Sequence, residues 1–83
     1  MEREEIIERL KEILLTEDDR KAELIENCTE DMSLSEDLGF NSVALLYMVI
    51  DIEESFGIRF ENVGINDFET LGEVVDYIEE QLG

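Results

Sequence analysis

The chain has 83 residues, of which 43% are hydrophobic and 36% are charged, and it contains no proline or histidine. Its 24 acidic and 6 basic residues give a formal net charge of -18, which opposes binding to nucleic acid or to an anionic membrane surface. The length suits one domain over residues 1–83, and no apolar run reaches membrane-spanning length. We therefore expect a single-domain cytoplasmic protein that is monomeric and binds neither nucleic acid nor membrane.

The first predicted element is a helix over about residues 2–15, where apolar residues recur at the spacing of one buried stripe. Residues 16–41 then form a long connection. Within it, residues 22–25 are expected to make a short helical turn, and Met32 and Leu34 are expected to hold the loop against the core. A connection of this length in so small a domain is more often functional than accidental.

A second helix is predicted from Ser42 to about Gly57, because Asn41 is a good N-cap and glycine favours the left-handed conformation that ends a helix. Apolar residues fall on two sectors of this helix. The sector assigned to the core consists of Leu45, Met48, Val49, Ile52 and Phe56.

The other apolar sector, here called the outward stripe, consists of Val43, Leu46, Tyr47 and Ile50. Glu53 and Glu54 flank it towards the end of the helix. Its inner members, Leu46 and Ile50, either pack under the long connection or the segment before Phe68, or they belong to an exposed protein-contact surface below Ser42. The sequence leaves both arrangements open.

The remaining chain predicts an extended segment over residues 58–60, a loop over residues 61–69 with at most one short helix, and a last helix to Leu82. Thr70 and Glu73 form a capping box at the start of that helix. Three amphipathic helices joined by one long and one shorter connection indicate an all-α bundle.

Ser42 is the most interesting polar residue, since it lies in the first turn of a helix, after a glycine-containing loop. Its hydroxyl should face solvent at the positive end of the helix dipole, where a phosphate is favoured. Without histidine the chain has no imidazole base for a nucleophilic serine or for Cys28, which is expected to be a partly buried thiol. No catalytic set, metal site or calcium-binding loop is recognisable, so the hydroxyl is expected to be modified by another enzyme.

The segment SEDLGFNSVALLYMVIDIEESFGIRF resembles the D-L-G-x-D-S-L signature of acyl carrier proteins, in which the final serine is modified by a phosphopantetheinyl transferase. Further along the chain, DIEESFGIRF resembles the family's helix end and following stub. FETLGEVVDYIEEQL resembles its last helix. The resemblance covers residues 37–82 well and extends to the first helix only in pattern.

The resemblance implies a four-helix bundle of three main helices and one short helix between Val63 and Phe68. It also implies that Ser42 carries a covalent 4'-phosphopantetheine arm, derived from coenzyme A, which holds acyl or aminoacyl cargo as a thioester. The chain itself would not be an enzyme, and the core sector of the second helix would line a groove for a short acyl chain. The residues that match the loop presenting the serine, here called the presenting loop, are Asp37, Leu38, Gly39 and Asn41.

Two departures from the family pattern bear on the partners. Asn41 replaces the aspartate before the serine, and Val43, Ala44 and Tyr47 stand where many fatty-acid carriers have acidic residues. By resemblance the partners are a phosphopantetheinyl transferase and enzymes that load or transfer the cargo. Docking patches that are basic or apolar would fit Glu53, Glu54 and the outward stripe, and a specialised acyl, polyketide or aminoacyl pathway is favoured over housekeeping fatty-acid synthesis.

Because the sequence begins with methionine and has no linker composition, we expect a free-standing carrier instead of a module of a larger synthase. One alternative belongs to another class of protein. It is an acidic helical interaction or regulatory protein, in which Ser42 only begins a helix.

Overall fold

A computed structural model describes residues 1–61 and 68–83 of the chain. The three long helices of this part are those expected from the sequence, and the all-α class is confirmed. A 3-10 turn, Asp19–Lys21, leads into the short helix predicted near residues 22–25. In chain order the α-helices are α1 (Arg3–Glu17), α2 (Ala22–Glu26), α3 (Ser42–Phe56) and α4 (Leu71–Leu82).

The helix α1 ends two residues later than the apolar pattern predicted. Its last turn is polar, and the N–H of Asp18 donates to the Leu14 carbonyl at 3.1 Å, so backbone hydrogen bonding extends the helix beyond its apolar stripe. Leu14 is buried, whereas Ile7 is only partly buried at the edge of the stripe.

The predicted ends of α3 and α4 are confirmed by their caps. The Asn41 side chain accepts a hydrogen bond from Ala44 N–H at 2.9 Å, and Gly57 ends α3 with φ of 67°. Thr70 and Glu73 form both hydrogen bonds of a capping box at the start of α4. The side chains of Asn41 and Thr70 satisfy N–H groups that a helix leaves unpaired at its first turn.

The hydrophobic core lies where α1 packs against α3 and α4. From α3 it receives Leu45, Met48, Ile52 and Phe56, all buried. The prediction was wrong for Val49, which is only half-buried, because the buried positions follow a narrower stripe than the assigned sector and leave it at the edge. Burying such a side chain fully stabilises the fold by roughly 1.5–3 kcal/mol.

The long connection is attached to the start of α4 by backbone hydrogen bonds. The N–H of Leu34 donates to the Glu69 carbonyl at 3.3 Å, and the N–H of Leu71 donates to the Met32 carbonyl at 3.1 Å. Leu34 is 3% exposed and Met32 packs partly buried against the core. The prediction that these two residues hold the loop in place is confirmed.

A further link between the connection and the helices is electrostatic. Arg3 pairs with Glu30 of the connection and with Glu79 of α4, and it lies 2.9 Å from Asp76 of α4. The cation thus joins the first turn of α1 to two other parts of a strongly acidic chain, which reduces the repulsion among their carboxylates.

The segment after α3 forms no helix or strand over residues 58–60, and it packs Ile58 and Phe60 against the core. The rings of Phe60, Phe68 and Tyr77 form a cluster with centroid distances of 5.0–5.8 Å. The short helix predicted between Val63 and Phe68 lies, apart from Phe68, outside the described residues.

Candidate functional site

The presenting loop is held in shape by hydrogen bonds to Ser33 and Leu34. The Asp37 carboxylate accepts from Ser33 N–H at 2.7 Å, and the N–H of Leu38 donates to the Ser33 carbonyl at 3.0 Å. The N–H of Phe40 donates to the Leu34 carbonyl at 3.0 Å. The acid predicted in this loop therefore closes a turn, which fixes the direction in which the chain enters α3.

Two neighbouring residues of the loop orient it in different ways. Leu38 is fully buried and anchors the loop in the core. Gly39 has φ of 74°, a left-handed conformation that glycine adopts without the steric cost of a side chain. The ammonium of Lys21 lies against this turn, 3.1 Å from the place of a Cβ on Gly39.

Ser42 is the first residue of α3 and is exposed, as predicted. The Asn41 side chain accepts from the N–H of Ala44, but within residues 1–61 and 68–83 the N–H groups of Ser42 and Val43 donate no hydrogen bond. These N–H groups, together with the positive end of the helix dipole, favour a phosphate on the Ser42 hydroxyl. The local geometry thus fits a phosphate ester at this position.

The outward stripe is exposed along its whole length, which excludes the packed arrangement that the sequence left open. Val43 and Leu46 are each 62% exposed, Tyr47 is 57% exposed and Ile50 is 47% exposed. The inner members, Leu46 and Ile50, are therefore not core residues. A row of exposed apolar side chains on one helix is typical of an interaction surface.

Glu53 and Glu54, which the sequence grouped together, have different surroundings. One carboxylate oxygen of Glu53 accepts from the Phe60 N–H at 2.9 Å, and the residue is half-buried. Glu54 is exposed. Glu53 therefore fixes the segment after α3, a role the sequence did not reveal, whereas Glu54 has its charge in solvent at the lower end of the outward stripe.

A cavity of about 720 Å³ opens beside Ser42. Its apolar wall includes Phe40, Leu45 and Phe68. The core residues deeper along α3, Met48 and Ile52, are 2% and 1% exposed and do not line it. The predicted groove along the core sector of α3 is thus restricted to its first turn, because the rest of the sector is packed.

The side of α3 that faces α1 contains an acidic contact. The pKa of the Glu17 carboxyl is raised, first because the group is partly removed from water and then because of the neighbouring carboxyl of Asp51. Nearby, Arg20 hydrogen-bonds with Asp18 and lowers the pKa of that carboxyl. The sequence predicted neither contact. Glu17 and Asp51 lie far apart along the chain, so their contact leaves no local signal.

Cys28 is buried, and its burial raises the pKa of the thiol. It is thus a poor nucleophile at neutral pH, as expected. Within residues 1–61 and 68–83, no group of three or more histidine, cysteine or acidic side chains is arranged to hold a metal ion. In the same part of the chain, every helix is too short or too polar to cross a membrane.

Residues 5–78 match a family model that is described as a phosphopantetheine attachment site. The chain belongs to this family. An acyl carrier protein of Thermotoga maritima is 35% identical over 98% of this chain and 96% of its own length. Acyl carrier proteins of Saccharopolyspora erythraea and Rubrobacter xylanophilus are 37% and 32% identical, over 92% and 96% of this chain and 77% and 95% of their own lengths.

These matches identify an acyl carrier protein with a phosphopantetheine attachment domain, and its cofactor is covalently bound 4'-phosphopantetheine. The prediction of the carrier class is confirmed, and the alternative of an acidic regulatory protein finds no support. Acyl carrier proteins are carriers of cargo and not catalysts, and they work with partner enzymes.

Proposed function

We propose that Ser42 is the residue of this carrier that holds the phosphopantetheine arm. The observation that carries the proposal is the exposed hydroxyl at the first residue of α3, beside N–H groups suited to a phosphate. Asp37, Leu38 and Gly39 support it by fixing the turn that leads to the serine. Asn41 keeps the helix capped, so the serine side chain is not needed as the cap.

In the attachment step, a phosphopantetheinyl transferase would bring coenzyme A to the exposed hydroxyl. A bond forms between Ser42 Oγ and the phosphorus next to pantetheine while the pyrophosphate bond breaks. Adenosine 3',5'-bisphosphate leaves, and the hydroxyl proton goes to a base of the transferase. Once bound, the arm supplies a terminal thiol that holds cargo as a thioester, and its tether raises the effective concentration of that cargo at each partner site.

Mass spectrometry of the intact protein tests the attachment residue. After incubation with coenzyme A and a broad-specificity transferase, the wild-type chain should gain the mass of one phosphopantetheine group, and Ser42→Ala should gain none. Ser55→Ala is the matched control, because Ser55 is another exposed serine of α3 and its replacement should leave the mass gain intact. A Ser42→Ala protein that is still modified would refute the assignment.

The outward stripe, with Glu53 and Glu54 below it, is proposed to contact the loading and transferring enzymes. Exposure of four apolar side chains on the helix that begins with Ser42 supports an apolar docking patch on these partners. The exposed carboxylate of Glu54 supports a basic group at the lower edge of that patch. Glu53 contributes its negative charge there. One of its carboxylate oxygens already accepts a hydrogen bond from the Phe60 N–H.

For the pathway, we favour a specialised acyl, polyketide or aminoacyl route over housekeeping fatty-acid synthesis. Asn41 and the apolar start of α3 support this choice, because they remove negative charges that the family resemblance assigns to recognition by basic partners. The chain itself does no catalysis in this scheme. It acts as one domain over residues 1–83, in the cytoplasm and as a monomer, in keeping with its size and charge.

A further inference from the structure

Arg3, in the first turn of α1, makes a set of ionic contacts that is here called the Arg3 clasp. Its Nε atom lies 3.1 Å from a carboxylate oxygen of Glu30 in the long connection, and its Nη1 atom lies 2.9 Å from Asp76 of α4 and also contacts Glu79. The other ion pair in the part of the chain that the structure describes joins residues only two positions apart. Arg3 is therefore the only cation there whose ion pairs connect separate segments.

Glu30 is also attached to α4 through its backbone. The N–H of Gly72 donates to the Glu30 carbonyl at 2.8 Å. A Cβ on Gly72 would lie 3.1 Å from the Cβ of Glu30, so the lack of a side chain at this position lets the connection approach the helix closely. The clasp thus fixes the side chain of a residue whose backbone already lies against the first turn of α4.

Residues 30–34 lie between α4 and the presenting loop. On one edge, Met32 and Leu34 form backbone hydrogen bonds with the start of α4. On the other edge, the backbone of Ser33 and the carbonyl of Leu34 hold the presenting loop and Phe40. Because these residues are consecutive, movement of the segment away from α4 would also disturb the loop that leads to α3.

We propose that Arg3 is a positioning residue for the attachment serine, which acts by pairing with Glu30 and thereby holds residues 30–34 and the presenting loop in place. Without the guanidinium, the Glu30 carboxylate would face two carboxylates of α4 and be repelled by them. The inference rests on Ser42 being the attachment residue, and it adds a residue of α1 that determines how firmly the serine is presented.

Reaction of Cys28 with iodoacetamide, an uncharged thiol reagent, tests the clasp. Cys28 is the single cysteine of the chain, it is buried and it lies two residues before Glu30, so its labelling reports opening of this part of the connection. Arg3→Gln should raise the labelling rate roughly two- to fivefold, the range for loss of partly exposed ion pairs. Arg20→Gln is the matched control, because it changes the net charge equally at a side chain that is 86% exposed, and it should leave the rate unchanged.

Glu30→Gln separates the clasp from general charge repulsion. The chain has a formal net charge of -18, so removal of one negative charge would by itself favour the compact state and slow the labelling. Loss of the clasp should instead speed the labelling, and the double variant with Arg3→Gln should be no faster than the faster single variant. Slower labelling in Glu30→Gln, or two factors that multiply in the double variant, would overturn the proposal.

The urea dependence of labelling distinguishes opening of the connection from global unfolding. Local opening exposes little surface, so at low urea the rate should be nearly independent of urea, and it should be raised there in Arg3→Gln. An acceleration confined to the range in which the rate rises steeply with urea would reflect lower global stability and would overturn the proposal.

The amide NMR signals of the presenting loop test whether the clasp reaches it. Those of Leu38 and Phe40, whose N–H groups donate to Ser33 and Leu34, should shift in Arg3→Gln and in Glu30→Gln but not in Arg20→Gln. Unshifted signals in the two clasp variants would show that Arg3 does not position the loop.

Intact mass separates the two proposals. If Ser42→Ala still gains the arm, the attachment assignment itself fails. If wild type is modified at Ser42 but Cys28 labelling and the loop signals are the same in Arg3→Gln as in wild type, only the inference about Arg3 fails.

Discussion

The two apolar faces of α3 have similar side chains and opposite surroundings. Ile52 is 1% exposed and belongs to the core, whereas Ile50, two residues earlier, is 47% exposed and belongs to the outward stripe. Hydrophobicity alone therefore does not assign a residue to the core of so small a domain. The inward face packs in the core against α1, and the outward face is exposed to solvent.

The largest difference between the faces should appear in stability. Ile52→Ala removes a fully buried side chain and leaves a cavity, so the free energy of unfolding should fall by about 2–5 kcal/mol. That is a large part of the total for a chain of this length, which is on the order of 4–12 kcal/mol. Urea denaturation followed by circular dichroism measures the change.

Ile50→Ala is the matched control for that experiment. Because Ile50 is about half exposed, its replacement should lower the free energy of unfolding by less than about 1 kcal/mol. Equal losses in the two variants would contradict the assignment of the faces.

A smaller effect is expected on the side of α3 that faces α1, between the two apolar faces. The pKa of Glu17 is raised in the folded protein by partial burial and by Asp51, so the folded state binds a proton more tightly than the unfolded state does. Stability from this proton is present at low pH and is lost as the pH rises through the raised pKa of Glu17.

Glu17→Gln should remove that loss. At neutral pH the variant should be more stable by a few tenths of a kcal/mol, the size of a like-charge surface contact, and the difference should vanish below the ordinary pKa of glutamate. Thermal melts over a pH series measure it. Glu8→Gln, at an exposed position of α1, controls for the lower net charge, and an equal gain in that variant would contradict a specific role of the Glu17 contact.

The smallest change in stability is expected on the outward stripe. Tyr47→Gln should alter the free energy of unfolding by less than about 0.5 kcal/mol, because Tyr47 is 57% exposed. Cargo loading by a cognate enzyme should fall all the same, since the apolar contact is lost. Leu24→Gln replaces an exposed apolar residue of α2 and should load normally. Loading lost equally in both variants would indicate that the stripe is not the docking surface.

Much of the fold could be predicted from the sequence, because caps and helical periodicity are local signals. Asn41, Gly57 and Thr70 fixed the ends of α3 and α4 correctly. Exposure of Leu46 and Ile50 could not be predicted, since it depends on which surfaces the long connection covers.

The same limit applies to the site. Ser42 could be selected as a candidate from its motif and its place at a helix start. The position of Lys21 against the presenting loop and the contact of Glu17 with Asp51 arise from packing between distant segments. Polar contacts of this kind have no periodic signal in the sequence.

Hydrogen bonds join the long connection to the start of α4. The structural order of the presenting loop therefore depends on the C-terminal helix. Leu34 and Leu71 donate across this junction, so detachment of α4 would also release the chain just before the presenting loop. In hydrogen-exchange terms, the two segments should open as one cooperative unit. A partner that binds α4 would thereby change how firmly Ser42 is held, without contacting it.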